Sequence, residues 1–534
     1  MIGRAALATV VAALAAGTLA PQAASARAVG QVQLVHKTVT IHIRDNTFKP
    51  ALLNVEEGTT VRWINDGRNT HNVTPARGHK YGSPDLEPGR SYVHTFPDAG
   101  TFTYYCTLHG TPTSGQRGQV GVGDAATATP VEPLGAGNAP APRFRASGRT
   151  IRVPADARTI QQGVDRAKKG DLVLVSPGVY KESVIIGIDG VVLRGVDRNR
   201  TILDGEFNRD NGVFVVGADG VAVENLTARN FTENGFFWNG VLGYRGSYLT
   251  AYRNGDYGVY AYDSQHGIFE HSYASGSPDS GFYIGQCNPC HAVIDDVLSQ
   301  YNLLGYSGSN SSGDLFLVNS EWSHNRTGIV PNSFGAEELS PQGQATFAGN
   351  VVSDNGDAEA TRGNEAAYDP AYGIGVVLAG GQEDVVTKNR IVDNAKVGVA
   401  LAPSIGLEDV PHQPKGNRVT DNVVERSGMV DLGIVLSDAS DENCFSGNTF
   451  STSAPANIEQ VMPCDARGTG DFATGAVDIE QFLDTSGNSK GVGYKQSPTP
   501  RRQRNMPRAA SAKARPAGAP PPVDLAAIQV PPGS

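Results

Sequence analysis

The chain has 534 residues, a net charge of −10, 64 glycines and only 18% charged residues. That length allows two to four domains. The acidic balance argues against nucleic acid as a general partner, and the glycine-rich, charge-poor composition favours turn-rich β structure over helix.

Arg4, an apolar run from Ala5 to Ala20 and small residues at Ala24-Ser25-Ala26 and Ala26-Arg27-Ala28 read as a cleavable secretory signal over residues 1–28. No cysteine follows the run to carry a lipid. No later stretch approaches the roughly 20 apolar residues that span a bilayer, so no transmembrane anchor is expected. The predicted location is secreted, periplasmic or cell-wall associated, where disulfides persist.

Val39 to Ile43 alternates as a strand, Phe48-Lys49-Pro50 turns, and Val55 to Asn65 reads as strand, turn, strand. Gly100 to Cys106 is a further strand that ends on a thiol, and the string continues Thr107-Leu108-His109, with Asn69-Thr70-His71-Asn72 upstream. Two imidazoles and one thiolate are the strong equatorial donors of a mononuclear copper site; the alternative is a free core cysteine beside two surface histidines. Residues 38–123 resemble the plastocyanin, pseudoazurin and amicyanin family of cupredoxins over their whole length. The resemblance implies a β-sandwich over 36–123, one type 1 copper held by His71, Cys106 and His109, and a redox partner protein. The family places a Met a few residues after the second His, where this chain has Gln116 before Arg117-Gly118. A Gln amide oxygen is a recognised alternative axial ligand. The loop is also longer than usual, which leaves open that Gln116 points to solvent.

Cys106 aside, Cys287, Cys290, Cys444 and Cys464 remain, an even number in an exported chain. Pairs Cys287–Cys290 and Cys444–Cys464 are expected. Cys287-Asn288-Pro289-Cys290-His291 also spells the c-type haem attachment pattern. It interrupts a run of β repeats rather than opening a helix, so haem c is not expected.

Residues 124–146 form a Pro/Ala linker. Thr159 to Ala167 reads as a short amphipathic helix and Gly170 to Tyr180 as a strand; this opening resembles the N-terminal cap of right-handed parallel β-helices. The repeat is carried by glycines: Gly235, Gly258, Gly281, Gly305 and Gly328 are spaced 23, 23, 24 and 23 residues apart, Gly375 and Gly398 again 23, and Gly433 follows. An asparagine thread runs beside them, at Asn225, Asn254, Asn302, Asn325, Asn350, Asn355, Asn389, Asn394, Asn422 and Asn448. Asparagine tolerates left-handed backbone, and its amide can pair with the coils above and below. The fold class is therefore all-β: a cupredoxin sandwich followed by a right-handed parallel β-helix over 147–488. The second part resembles the carbohydrate-binding and sugar-hydrolase β-helix superfamily, including the periplasmic β-helix proteins that assist nitrous oxide reductase maturation.

Insertions at Asp357 to Tyr372 and Ile405 to Lys415 are either binding loops or tolerated surface changes. Beyond Asn488 the repeat is lost. Lys495, Arg501, Arg502, Arg504, Arg508, Lys513 and Arg515 stand without an acid among them, so 489–534 reads as a disordered basic tail, solvated or touching an anionic surface.

Weak catalytic candidates lie at the repeat period. Asp256 and Asp279 are 23 residues apart, as are Tyr260 and Tyr283, which stacks each pair roughly 5 Å apart. Close carboxylates with aromatic platforms suit sugar chemistry; repeats also stack like residues for structural reasons. Two functions compete. One is a secreted copper protein for one-electron transfer or copper handling, with the β-helix as a glycan- or protein-binding scaffold. The other is an extracellular polysaccharide lyase, hydrolase or epimerase with an appended copper domain.

Overall fold

A computed structural model describes residues 38–533 apart from 45, 68, 77–80, 113, 124–134, 336, 338, 364–365, 405–410, 436–441 and 469–474. The predicted secretory signal lies outside the described residues, as does most of the loop at 405–415.

Two four-stranded sheets form the N-terminal sandwich. Thr38–Arg44, Thr47–Lys49, Thr59–Asn65 and Ser91–Phe96 make one; Leu52–Val55, Thr74–Pro75, Gly100–Thr111 and Ser114–Val122 make the other. In Thr59–Asn65 every second residue is buried, the period of a strand with one face on a core. Ile41, Val61, Trp63 and Phe96 from the first sheet meet Tyr104, Val120 and Val122 from the second. Trp63 and Phe48 both pack edge-on against the Tyr104 ring, at 5.4 and 4.8 Å between centroids, an arrangement that aromatic quadrupoles favour.

From Thr150 onward, parallel sheets of 12, 11 and 11 strands run the length of the solenoid among the described residues. Each coil contributes one strand to each sheet, and Val213, Phe236, Val259 and Phe282 lie in register directly above one another; the register shifts between Ser312 and Leu315. Their side chains, with Trp238, Phe269, Trp322 and Phe347, fill one continuous interior. The helix Ile160–Asp165 plugs the first coil with Ile160 and Val164. Thr159 accepts from Gln162 N–H, and the Glu182 carboxylate takes the free Ile160 and Gln161 N–H groups at 2.9 and 3.0 Å. At the far end Ile458 and Met462 cover the last coil, beside a Cys444–Cys464 disulfide.

The asparagines form buried columns. In one, Asn302, Asn325 and Asn355 each bond the Oδ1 of the next, ending on Asn394, through backbone N–H and side-chain Nδ2, the N–H bonds at 3.0 to 3.3 Å. In another, Asn350, Asn389 and Asn422 do the same up to Asn448, whose N–H and Nδ2 go to the Glu459 carboxylate instead. Left-handed backbone was expected along the asparagine thread and is found at Asn225, but in the two columns it falls on the residue before each: Tyr301, His324, Asp354, Asp393, Gly349, Lys388, Asp421 and Gly447. The left-handed residue makes the corner, and the asparagine after it turns inward, where only a stacked amide satisfies every polar atom.

The C-terminal segment departs from the disordered tail that its composition predicts. Residues after 497 lie along the solenoid, with Ala509, Ala517 and Ile528 buried. The reason is the polar demand of the coils beneath. Buried Arg194 donates to the Ala512 and Lys513 carbonyls at 2.6 and 3.1 Å, Arg390 to Pro531 at 2.7 Å, and Asn225 accepts from Met506 N–H at 2.7 Å. A Pro/Ala chain has little conformational freedom to lose on docking. The later part of the linker docks as well: Gln265 donates to the carbonyls of Gly135 and Gly137, and Phe144 packs over Gly190 and Gly220. Within the insertion before Tyr372, Ala371 packs against the cluster that holds Phe482 of the helix Ile479–Leu483. No helix among the described residues is long and apolar enough to cross a membrane.

Candidate metal centre

Four donors converge at one end of the sandwich. Cys106 and His109 ride on Gly100–Thr111, where pairing with Ser114–Val122 slips between Tyr105 and Gly110 and lets the thiol and the ring face the same point. His71 is held by a two-way backbone bridge to Leu86, at 3.1 and 2.6 Å. Gln116 returns on the partner strand.

Cys106 Sγ lies 3.4 Å from His109 Nδ1 and 3.8 Å from His71 Nδ1, and Gln116 Oε1 lies 3.0 Å from His71 Nδ1. Donors about 2.0–2.3 Å from one tetrahedral ion stand roughly 3.3–3.8 Å apart, so the His and Cys atoms fit a shared metal. His71, Cys106, His109 and Gln116 are all 2% exposed or less. Burial pushes the Cys106 thiol up, but the charge and hydrogen bond of His109 and the bonds of His71 outweigh it and bring the thiol down to about 5. A buried thiol held as thiolate between two imidazoles suits copper. Gln116, the predicted axial donor, does not reach solvent. Its Nε2 donates to the carbonyls of Arg44 and Thr47 at 3.2 and 2.9 Å, which turns Oε1 towards the histidines.

Asn72 was quoted within the ligand string without a role, and the structure gives it one. Its backbone N–H donates to Cys106 Sγ at 3.4 Å. Its side chain ties the two ligand segments, donating to Thr107 Oγ1 at 2.7 Å and accepting from Thr107 N–H at 2.9 Å. The adjacency His71-Asn72 was the available signal.

The solenoid candidates are not among the four donors. Asp256 and Asp279 are stacked on successive coils, Asp279 N–H bonding the Asp256 carbonyl at 3.3 Å. The pair extends to a column, since Asp210 and Glu233 precede it at the same 23-residue step, and Glu233 lies close enough to feel the charges of His71 and Cys106. Asp256 is buried, and Tyr257 donates to Asp279 at 3.1 Å. Tyr260 and Tyr283 are each 2% exposed, in an aromatic cluster with Phe214, Phe237, Tyr257 and Tyr262. The expected sugar platforms are therefore covered by neighbouring rings: Tyr260 stacks on Phe237 at 4.4 Å and meets Tyr283 edge-on at 4.8 Å. Cys287 is bonded to Cys290 and Cys444 to Cys464.

Residues 35–123 match the family model of copper binding proteins of the plastocyanin/azurin family, and residues 189–404 that of the right handed beta helix region. Amicyanin of Paracoccus denitrificans is 32% identical over 75 residues, which are 13% of this chain and 57% of amicyanin; the chain thus spans little more than half the length of that curated relative. Among solved structures, a purple cupredoxin from Nitrosopumilus maritimus is 29% identical, covering 16% of this chain and 98% of its own, with a TM-score of 0.15. The A-module of the Azotobacter vinelandii mannuronan C-5 epimerase AlgE4 is 17% identical, covering 58% of this chain and 94% of its own, with a TM-score of 0.40. On the family matches, residues 35–123 are a copper-binding domain of the plastocyanin/azurin family, and the chain continues into a right-handed β-helix.

Proposed function

We propose that the protein is an exported one-electron carrier whose type 1 copper is held by His71, Cys106 and His109, with Gln116 as the axial ligand and a redox protein as partner. The observation that carries the reading is the convergence of two Nδ1 atoms, one Sγ and one amide oxygen in a water-shielded pocket. Copper bound there would supply a one-electron couple. The residues supply the rest. Cys106 is held as thiolate, Asn72 fixes the thiolate by a backbone donor, and Arg44 and Thr47 aim the Gln116 carbonyl. Rigid donors change little between oxidation states, which favours fast transfer over substrate turnover.

The β-helix serves in this reading as scaffold and docking surface for a protein or glycan. Burial of Asp256, Tyr260 and Tyr283 supports a structural use of that column over polysaccharide chemistry. Export agrees with the two disulfides. Metal analysis with visible and electron paramagnetic resonance spectra of the full chain tests the reading. An intense thiolate-to-copper band with about one copper per chain is expected; a colourless protein of full copper occupancy overturns it.

A further inference from the structure

The metal centre does not end at the edge of its own domain. Asn239 closes the solenoid strand Phe236–Asn239 and is 2% exposed. Its Nδ2 donates to the His109 carbonyl at 2.7 Å, and a Cβ at Gly115 would come within 3.3 Å of the same nitrogen. Asn239 therefore sits against both ends of the turn from His109 to Gly115, which carries one ligand and leads into Gln116.

The second contact reaches the opposite side of the centre. Tyr260, one coil on, accepts from Asn46 Nδ2 at 2.6 Å. Asn46 is buried at φ 61°, inside the turn whose Arg44 and Thr47 carbonyls hold the Gln116 amide. The Tyr260 ring cannot drift, because Phe237 stacks on it at 4.4 Å and Tyr257 at 4.2 Å. Residues 239 and 260 belong to neighbouring strands in register. Both contacts are therefore delivered by one rigid sheet face.

We propose that the β-helix forms part of the metal centre, with Asn239 and Tyr260 as positioning residues that fix the His109 turn and the Gln116 amide from across the domain boundary. The inference rests on the copper reading above. Its physical content is specific. A buried carbonyl next to a ligand is oriented by its donor, and losing that donor leaves the turn to find another geometry. Ligand orientation follows the solenoid, so the centre's spectrum and potential are properties of the whole chain.

The test uses full-length protein with Asn239→Ala and, separately, Tyr260→Phe, which removes one oxygen and keeps the stacked ring. Two measurements are made on each. In the copper-loaded protein, the charge-transfer band, copper hyperfine splitting and midpoint potential are recorded. In the copper-free protein, amide hydrogen exchange is followed at residues 109–118 and, as reference, in the coils from 281 to 330. Both variants are expected to shift the copper signals and to speed exchange in the 109–118 segment by about tenfold, with the reference coils unchanged. Wild-type spectra, potential and exchange in both variants overturn the proposal. So does faster exchange of the solenoid strands with unaltered copper signals, the mark of a merely structural role. If Asn239→Ala does not fold, Tyr260→Phe decides alone. A wild-type protein that takes up no type 1 copper defeats the functional reading, while the exchange measurement still decides whether the solenoid holds the turn.

Discussion

Buried asparagines in the solenoid and buried ligands in the sandwich face the same problem and meet it in opposite ways. Asn389 accepts from the N–H and Nδ2 of Asn350 and donates to Asn422 Oδ1 and the Phe347 carbonyl, so its polar atoms are used up by its own repeat. In the sandwich, His71, Cys106 and His109 turn their donor atoms to within 4.8 Å of one another. Such a cluster gains far more from a shared metal than from bonding within itself. Burial of polar atoms is thus no mark of a functional site. What separates the two regions is whether the atoms pair off or converge on one point.

Cys106→Ala breaks that contrast most severely on the sandwich side. It should abolish the visible charge-transfer band, since the thiolate is the chromophore, and leave the solenoid's thermal unfolding in place; retained colour would refute the ligand set. On the solenoid side, Asn389→Ala strips four hydrogen bonds and leaves three buried partners unmatched. A loss of about 4 kcal/mol is expected, read from urea unfolding, with the copper spectrum unchanged. Stability within about 0.5 kcal/mol of wild type would mean that the column is ornament.

Asp384 sharpens the comparison, because it puts a carboxylate where the neighbouring coils have Asn417 and Asn443. It is fully buried, and burial pushes its carboxyl up to about 7 against the bonds from Ala345 N–H and Gln342. The folded value lies above the unfolded one of 3.8, so the folded state binds more protons between them. Its penalty is absent below about pH 4, grows as pH rises and is complete above about pH 7. Oδ2 and the Gln342 Oε1 are both buried without a hydrogen bond among the described residues, and both crowd Gly381. Asp384→Asn supplies a donor between them. Unfolding at pH 8 should show a gain on the order of 2–3 kcal/mol that vanishes near pH 4; a pH-independent difference would contradict the assignment.

The two regions were also unequally legible. Cys106 and His109 are near neighbours in the chain, and His71 stands in a short string, so local sequence carried the ligands. The 23-residue glycine period carried the solenoid, because each coil must bury the same positions. What escaped was everything that joins distant segments. Asn239 looks like an ordinary repeat residue and Tyr260 stood out only as a sugar platform; their contacts with the sandwich come from packing between distant segments. The column of Asp256 and Asp279 was visible, yet its burial was not, since spacing reports stacking but not what covers the stack. The tail misled for a related reason: its composition describes a free chain, whereas it is held by distant side chains such as Arg194 and Arg390.

The finest test of the comparison is Gln116→Met. Gln116 also pairs off, through its Nε2 to Arg44 and Thr47, while its Oε1 joins the convergence. It belongs to both patterns at once. A thioether is a softer donor than an amide oxygen and stabilises Cu(I), so the potential should rise. A tenfold change in the preference for Cu(I) corresponds to about 60 mV for one electron, and a shift of at least that size is expected by voltammetry. The substitution also removes the donor to Arg44 and Thr47 and leaves two part-buried carbonyls without it, so a small loss of stability, about 1 kcal/mol, should accompany the shift. The two readouts separate the two roles of the side chain. Lost stability with an unchanged potential would place Gln116 with the paired residues of the scaffold and outside the coordination sphere.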